Sequence, residues 1–104
     1  MHQYEMQAQV LSAAGHPIRL AIIDFLKDKP ECVCDIAEFI GAKRSNVSRH
    51  LSVLQQAGIV SAKKQGLKMI YSLKTPCILN FLGCVSNILK ARLAEQSKII
   101  SELD

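Results

Sequence analysis

The sequence predicts a mainly helical fold that carries one small β-hairpin. Apolar residues recur at helical spacing over most of the chain, give way to alternation over residues 59–73, and return to helical spacing towards the C-terminal end. At 104 residues the chain is expected to form one domain. Aromatic residues make up only 5% of the composition, so the core should be aliphatic. A small aliphatic core is marginally stable alone, which favours a dimer.

Four helices are predicted before the alternating segment. The first covers residues 4–14 and ends at Gly15, and the second begins at Pro17, because proline is favoured at the first helical position. The third covers roughly 33–40 and ends at Gly41, and the fourth runs over about 45–56. The apolar residues of the fourth helix lie at i, i+4 and i+7 and should face the core: Val47, Leu51 and Leu54. The last two helices form a helix–turn–helix over about residues 33–57.

The alternating segment predicts a β-hairpin, with its turn at Gln65–Gly66. Thr75 and Pro76 then predict the N-cap and first residue of a final helix over about 76–101. The apolar stripe of that helix is longer than one small domain can bury, so we expect a dimerisation helix. This order of elements is typical of a winged helix–turn–helix, here a single domain over residues 1–104 with its wing at about 59–73.

Basic residues concentrate in the centre of the chain. The formal net charge is +4, but between Phe39 and Ala94 there are nine lysines and arginines and no acid. Such a segment is common on a solvated surface, but its coincidence with a helix–turn–helix favours duplex DNA as the partner. The fourth helix offers short polar groups for base edges, and both it and the wing offer cations for phosphates. The candidate DNA-binding residues are Lys43, Arg44, Ser45, Asn46, Ser48, Arg49, His50, Lys63, Lys64 and Lys68.

Two cysteine pairs are candidate ligands of a soft ion or targets of an oxidant. Residues two apart lie about 200° around a regular helix. The Cys32 and Cys34 thiols therefore converge only if Cys32 lies at or before the start of the third helix, or if the first turn unwinds. Cys77 and Cys84 are expected on one face of the last helix, either as further ligands or as small core residues. No secretory signal or membrane-spanning segment is evident, so we expect a cytoplasmic protein with reduced thiols and no membrane partner.

Four segments together resemble the ArsR/SmtB family of metal-responsive repressors: AAGHPIRLAIIDFL, ECVCDIAEFIG, SNVSRHLSVLQQAGIV and the basic hairpin ending in MIYSL. The similarity covers roughly residues 8–90. It implies a homodimer that represses when ligand-free, needs no cofactor for DNA binding, and releases operator DNA when its sensor site is filled. It also implies that the CVCD segment binds arsenite, antimonite, cadmium or lead.

The chain departs from the ligand sets of that family. The arsenite form carries a third cysteine where this chain has Ala37, and the cadmium/lead form uses N-terminal cysteines that residues 1–31 lack. The histidine and aspartate ligands of a zinc site on the last helix are also missing. A third thiol must therefore come from Cys77 or Cys84.

Three other functions are compatible with parts of the sequence. Oxidation or persulfidation that links Cys32 or Cys34 to a thiol on the last helix would serve as the trigger of a redox-sensing repressor. A constitutive DNA-binding module would use its cysteines only structurally. A small thiol oxidoreductase would be an enzyme, but the chain lacks the βαβ context and cofactor loop of redox folds, so no enzyme is predicted.

Overall fold

The computed structural model describes residues 1–102, which form five helices and one three-stranded antiparallel sheet. The helices are α1 (His2–Ala14), α2 (Pro17–Phe25), α3 (Val33–Ile40), α4 (Arg44–Gln56) and α5 (Ile78–Glu102), and the strands are β1 (Glu31–Cys32), β2 (Val60–Gln65) and β3 (Lys68–Leu73). The predicted order of helices and hairpin is confirmed, and the fold is a winged helix–turn–helix with a long C-terminal helix.

The turn between α3 and α4 depends on Gly41. Its φ of 76° is left-handed, a conformation that favours glycine, and its N–H donates to the carbonyl of Ala37 at 2.8 Å. Ala42 and Lys43 then lead into α4, and Lys43 is its N-cap. The predicted bounds of this helix–turn–helix are confirmed to within one residue.

The wing differs from the prediction by one residue in its turn. Strands β2 and β3 pair from Val60↔Leu73 to Gln65↔Lys68, so Gln65 belongs to the ladder rather than to the loop. The two-residue loop is therefore Gly66 and Leu67. Gly66 has a φ of 61° at the first loop position, which is where a type II′ turn requires glycine.

Strand β1 was not predicted. Its two residues pair with β3, with Glu31 opposite Tyr71 and Cys32 opposite Ile70, which gives the sheet order β1-β3-β2. Two residues are too few to show a period, so the sequence carries no local signal for this strand. This pairing connects the start of α3 to strand β3 of the wing.

The core is aliphatic, as predicted. The three apolar residues assigned to the core face of α4 are fully buried, together with Ile22 of α2 and Ile36 of α3. Ile23 of α2 is also fully buried, because α2 contacts α1, α3 and α4. Burial of these side chains orients α4 and leaves its opposite face to solvent.

Helix α5 begins at Ile78, so the predicted start at Thr75–Pro76 was wrong. Those residues form a turn instead, in which the Ile78 N–H donates to the Thr75 carbonyl at 3.1 Å. No described residue of α5 is buried in the single chain, and its apolar side chains are exposed along the helix, as at Ile88 and Leu93. Leu11 of α1 is also half exposed. Within residues 1–102 no helix is long and apolar enough to cross a membrane.

Candidate nucleic-acid interface and cysteine cluster

The exposed face of α4 carries the predicted polar and cationic residues. This face lies opposite the buried residues Val47, Leu51 and Leu54, because exposed and buried residues are separated by about half a turn around the helix axis. The exposed residues of α4 and its N-cap include Lys43, Arg44, Ser45, Asn46, Ser48 and Arg49. The helix contains no acidic residue in its first turn. This face therefore combines short hydrogen-bonding groups with positive charge, the chemistry needed at a major groove.

The wing places cations on both of its faces. Lys63 and Lys64 are neighbours on β2 and are exposed, so their side chains point to opposite sides of the strand. Lys68, opposite Gln65, adds a third exposed cation beside the loop. This arrangement suits contact with a phosphate backbone from either side of the wing.

None of these cations is neutralised by an acid in the described chain. The ion pairs within residues 1–102 are Lys27–Asp24 at 3.3 Å and Lys29–Glu31 at 3.7 Å. Both lie between α2 and β1, away from α4 and the wing tip. The positive field of the central segment therefore remains available to a polyanion.

His50 occupies the flank of α4 and is half-buried. Its ring lies 4.5 Å from the ring of His16, and its Nδ1 is 3.3 Å from Nη1 of Arg19. Burial, followed by the charges of His16 and Arg19, lowers the pKa of His50 below 6.5, so the ring is neutral at pH 7. The sequence did not predict these two partners, because Arg19 and His16 precede His50 by 31 and 34 positions and only packing brings them together.

The cysteine pair satisfies the geometric condition set by its spacing. Cys32 is the N-cap of α3 with an extended backbone (φ −77°, ψ 157°), and its Sγ accepts a hydrogen bond from the Asp35 N–H at 3.3 Å. This conformation brings its side chain over the first turn, where it forms a disulfide with Cys34. The expectation of two free thiols at this pair was therefore wrong in this structure. The extended N-cap explains how residues two apart meet.

The same turn contains the one candidate metal cluster of residues 1–102. Ligand atoms of Cys32, Cys34 and Asp35 lie within 4.8 Å of one another. Two sulfurs and one carboxylate fit a thiophilic ion, provided that the disulfide is reduced, since a thiolate is the ligand. The sequence did not predict Asp35 as a ligand, although its adjacency to the cysteines was visible.

The other two cysteines lie outside this cluster within the described chain. Both Cys77 and Cys84 are exposed in the single chain, so neither belongs to its core. Cys77 lies in the turn before α5, and only Cys84 is on the helix, so the predicted shared helix face was wrong. A ligand role for either thiol stays a prediction.

The cysteine pair lies where the helix–turn–helix joins the sheet. Cys32 belongs to β1 and also caps α3, so one residue contacts both elements. Across the sheet it pairs with Ile70, which on its other side pairs with Lys63 of the wing. A chemical change at Cys32 therefore acts on the first helix of the helix–turn–helix and on strand β3 of the wing.

Comparison with known proteins gives one consistent result. Residues 16–62 match the family described as "Bacterial regulatory protein, arsR family". The uncharacterized HTH-type transcriptional regulator Rv0081 of Mycobacterium tuberculosis is 30% identical over 101 residues, covering 96% of this chain and 89% of that protein. Its crystal structure has a TM-score of 0.80 and covers 90% of this chain and 95% of that one.

Two further proteins share the sequence or the fold. The transcriptional repressor SdpR of Bacillus subtilis is 31% identical over 80 residues, covering 77% of this chain and 89% of that protein. The homodimeric winged helix–turn–helix DNA-binding domain Mb0332 of Mycobacterium bovis is 23% identical, with a TM-score of 0.78, and covers 90% of this chain and 87% of that one. The chain thus belongs to the arsR family of bacterial regulatory proteins, and it is a DNA-binding transcriptional regulator rather than an enzyme.

Proposed function

We propose that this protein is a homodimeric, sequence-specific repressor that leaves its operator when a thiophilic metal or metalloid ion binds its cysteines. The observation that carries the proposal is the position of Cys32. It caps α3, the helix that precedes α4 in the helix–turn–helix, and it pairs across the sheet with Ile70 of the wing, which pairs in turn with Lys63. A ligand at this residue acts on the wing directly and on α4 through α3.

The dimer is supported by the apolar surface of the terminal helices. Helix α5 buries none of its described residues in the single chain, and α1 also exposes apolar side chains such as Leu11. A second copy packed against these helices would remove that surface from water. The Mb0332 domain, which has the same fold, is homodimeric. A twofold dimer would present two copies of α4 to two half-sites of an operator.

DNA recognition is assigned to α4 and the wing. We place α4 in the major groove, where Ser45, Asn46 and Ser48 are short enough to bring the helix close to base edges. The lysines and arginines beside them, together with those of the wing, contact phosphates and supply most of the salt-dependent affinity.

Release requires the reduced cysteine pair. Cys32 and Cys34 supply two thiolates, and Cys84 or Cys77, from the same or the second copy, supplies a third. Arsenite, Cd²⁺ and Pb²⁺ are the candidate ions, because all three prefer sulfur ligands. Coordination favours a position of β1 and α3 that fits DNA poorly, since a ligand shifts an equilibrium only through its differential affinity for the two states.

A second trigger is favoured by one observation, the disulfide between Cys32 and Cys34. In this alternative the two thiols lose two electrons and two protons to an oxidant, and the resulting bond fixes the N-cap of α3. The bond joins Cys32 to Cys34 rather than to a thiol on the last helix. DNA affinity would then follow the redox state of the pair.

One experiment separates the two triggers. An operator is selected from random duplexes, and its affinity for the fully reduced protein is measured by fluorescence anisotropy. Arsenite, Cd²⁺, Pb²⁺, hydrogen peroxide or a persulfide is then added. Release by an ion under reducing conditions supports the metal trigger. Release only by an oxidant or persulfide, with recovery on addition of dithiothreitol, supports the redox trigger.

The control is the Cys32→Ser/Cys34→Ser variant, which keeps Cys77 and Cys84. It should bind the operator like the wild type and respond to none of these reagents. Unchanged binding of the wild-type protein with every reagent would overturn both triggers and leave a constitutive DNA-binding protein. Failure to enrich any duplex would overturn sequence-specific binding itself.

A further inference from the structure

Three side chains that carry N–H donors meet between α2 and the flank of α4. His16 is the N-cap of α2, Arg19 lies one turn further along the same helix, and His50 is on α4. The two imidazole rings lie 4.5 Å apart, and the Arg19 guanidinium is 3.3 Å from His50. We name these three residues the His–Arg cluster.

Hydrogen bonds fix which ring nitrogen carries the proton in each neutral imidazole. The Ile18 N–H donates to Nδ1 of His16 at 3.1 Å, and Nη1 of Arg19 donates to Nδ1 of His50 at 3.3 Å. A backbone N–H and a guanidinium can only donate, so each Nδ1 must accept. The proton of each neutral ring therefore lies on Nε2, and both rings retain a free N–H donor.

The cluster has more hydrogen-bond donors than acceptors. The Nε atom of Arg19 is buried and has no hydrogen-bond partner, and within residues 1–102 Arg19 forms no ion pair. Leaving a charged donor buried and unpaired is costly. An anion with several acceptor oxygens would satisfy the Arg19 guanidinium and both Nε2–H groups together.

We propose that the His–Arg cluster binds a phosphate group of the DNA backbone, which extends the DNA interface from α4 to α2. This rests on the proposed placement of α4 in the major groove. That groove is about 12 Å wide, nearly the width of a helix with its side chains, so the flanks of α4 face the phosphate rows. His50 lies about 100° around the helix from the exposed Arg49, which places it on such a flank.

The cluster also couples DNA binding to pH. The pKa of His50 is lowered first by burial and then by His16 and Arg19 of α2, and no carboxylate is among the groups that shift it. A negatively charged phosphate beside the ring opposes these effects and raises the pKa of His50 in the complex. Binding then takes up a proton, so DNA affinity increases as pH falls from about 7.5 towards 5.5.

The test combines protein variants with neutralised phosphates. Arg19→Gln and His50→Gln are measured on the selected operator and on duplexes in which one phosphate at a time is a methylphosphonate. Lys27→Gln, at the opposite end of α2 from the cluster, removes one positive charge from an exposed residue that already pairs with Asp24. His16→Asn keeps an N-cap side chain while removing the ring. Folding is checked for each variant by circular dichroism and urea unfolding.

We expect Arg19→Gln to weaken binding roughly tenfold or more on operator and random DNA alike. Its salt slope should decrease by about 0.9 for each phosphate that it no longer neutralises, and Lys27→Gln should change neither quantity. One methylphosphonate position per half-site should weaken wild-type binding but have no further effect on Arg19→Gln. His50→Gln should flatten the pH dependence of affinity.

Two results would overturn the proposal while leaving DNA recognition by α4 in place. One is a folded Arg19→Gln variant with wild-type affinity and salt slope. The other is a His50→Gln variant whose affinity and pH dependence equal those of the wild type. This second measurement still tests the proposal if Arg19→Gln does not fold. Absence of any DNA binding by the wild-type protein would instead overturn the proposed function.

Discussion

Cys32 and Lys63 lie in one row of the three-stranded sheet, on either side of Ile70. The row joins the N-cap of α3 to a cation of the wing through a single residue. Directly opposed residues in antiparallel strands are about 4.5–5.5 Å apart between Cα atoms, so displacement at one end is felt at the other. A single residue of the sheet therefore separates Cys32 from a cation of the proposed DNA interface.

Replacement of Cys32 or Cys34 by serine should separate sensing from binding. Each variant should bind the operator like the wild type, because both thiols lie at the start of α3, outside the proposed DNA-binding residues, and each should lose ligand-induced release. A coupling of about 1–3 kcal/mol corresponds to a 5–150-fold loss of affinity when the ligand binds to the wild type. The measurement is operator affinity with and without saturating arsenite or Cd²⁺ under reducing conditions. Full release in Cys32→Ser would remove that thiol from the site.

The third ligand is assigned by the same assay. Cys84→Ser should behave like Cys32→Ser if Cys84 completes the site, whereas Cys77→Ser should only weaken the response. Both residues are exposed in the single chain, so either substitution should leave folding intact. A wild-type response in both variants would confine the site to Cys32, Cys34 and the Asp35 carboxylate, which Asp35→Asn would then test.

Replacement of Lys63 and Lys64 by alanine should weaken binding to all duplexes equally. These cations face opposite sides of the wing and have no acidic partner in the described chain. The slope of log affinity against log salt should become shallower by about 0.9 for every phosphate that the wing no longer neutralises. Lys27→Ala is the matched control, because that lysine already pairs with Asp24 at 3.3 Å. An unchanged slope in the wing variant would exclude the wing from the contact surface.

Alanine at Ser45, Asn46 or Ser48 should affect sequence preference rather than general affinity. The side chains are exposed and uncharged, so they add little electrostatic attraction. Removal of one good hydrogen bond to a base should cost about 1–3 kcal/mol on the operator and little on random DNA. Ser86→Ala on α5 provides the same chemical change on another helix. Equal losses on both kinds of DNA would show that α4 positions the protein without contributing to sequence readout.

The helix–turn–helix was predictable because its information is local. Gly41 marks the end of α3, and the i, i+4, i+7 spacing of Val47, Leu51 and Leu54 fixes the buried face of α4 and hence its exposed face. Strand β1 carries no such signal, since two residues have no period and its pairing partner Ile70 is far along the chain.

The chemistry of the site was only partly predictable. Spacing alone established that the two thiols converge if Cys32 precedes α3, and this geometry is confirmed. Their oxidation state depends on the surroundings, so compartment arguments could not fix it. The contact of His50 with His16 and Arg19 was not predictable, because it arises from packing of α2 against α4 rather than from a sequence pattern.

The lowered pKa of His50 predicts a pH dependence of folding stability in the absence of DNA. The unfolded chain binds a proton at this ring near pH 6.5, whereas the folded chain binds it only at lower pH, owing to burial and the charges of His16 and Arg19. Between these two values the unfolded state holds more protons, so the free energy of unfolding should decrease as pH falls from about 7.5 through 6.5. The loss is complete once pH is below the lowered pKa of the folded state.

His50→Gln should remove this contribution, because glutamine does not titrate. Urea unfolding at about pH 7.5 and 5.5, at one fixed protein concentration, should show a smaller loss of stability in His50→Gln than in the wild type. His2→Gln is the control, since that histidine is exposed at the start of α1. Acid should therefore lower folding stability but raise DNA affinity, because a bound phosphate favours the protonated ring. If His50→Gln loses as much stability as the wild type between these pH values, His50 is not the residue that makes the fold sensitive to acid.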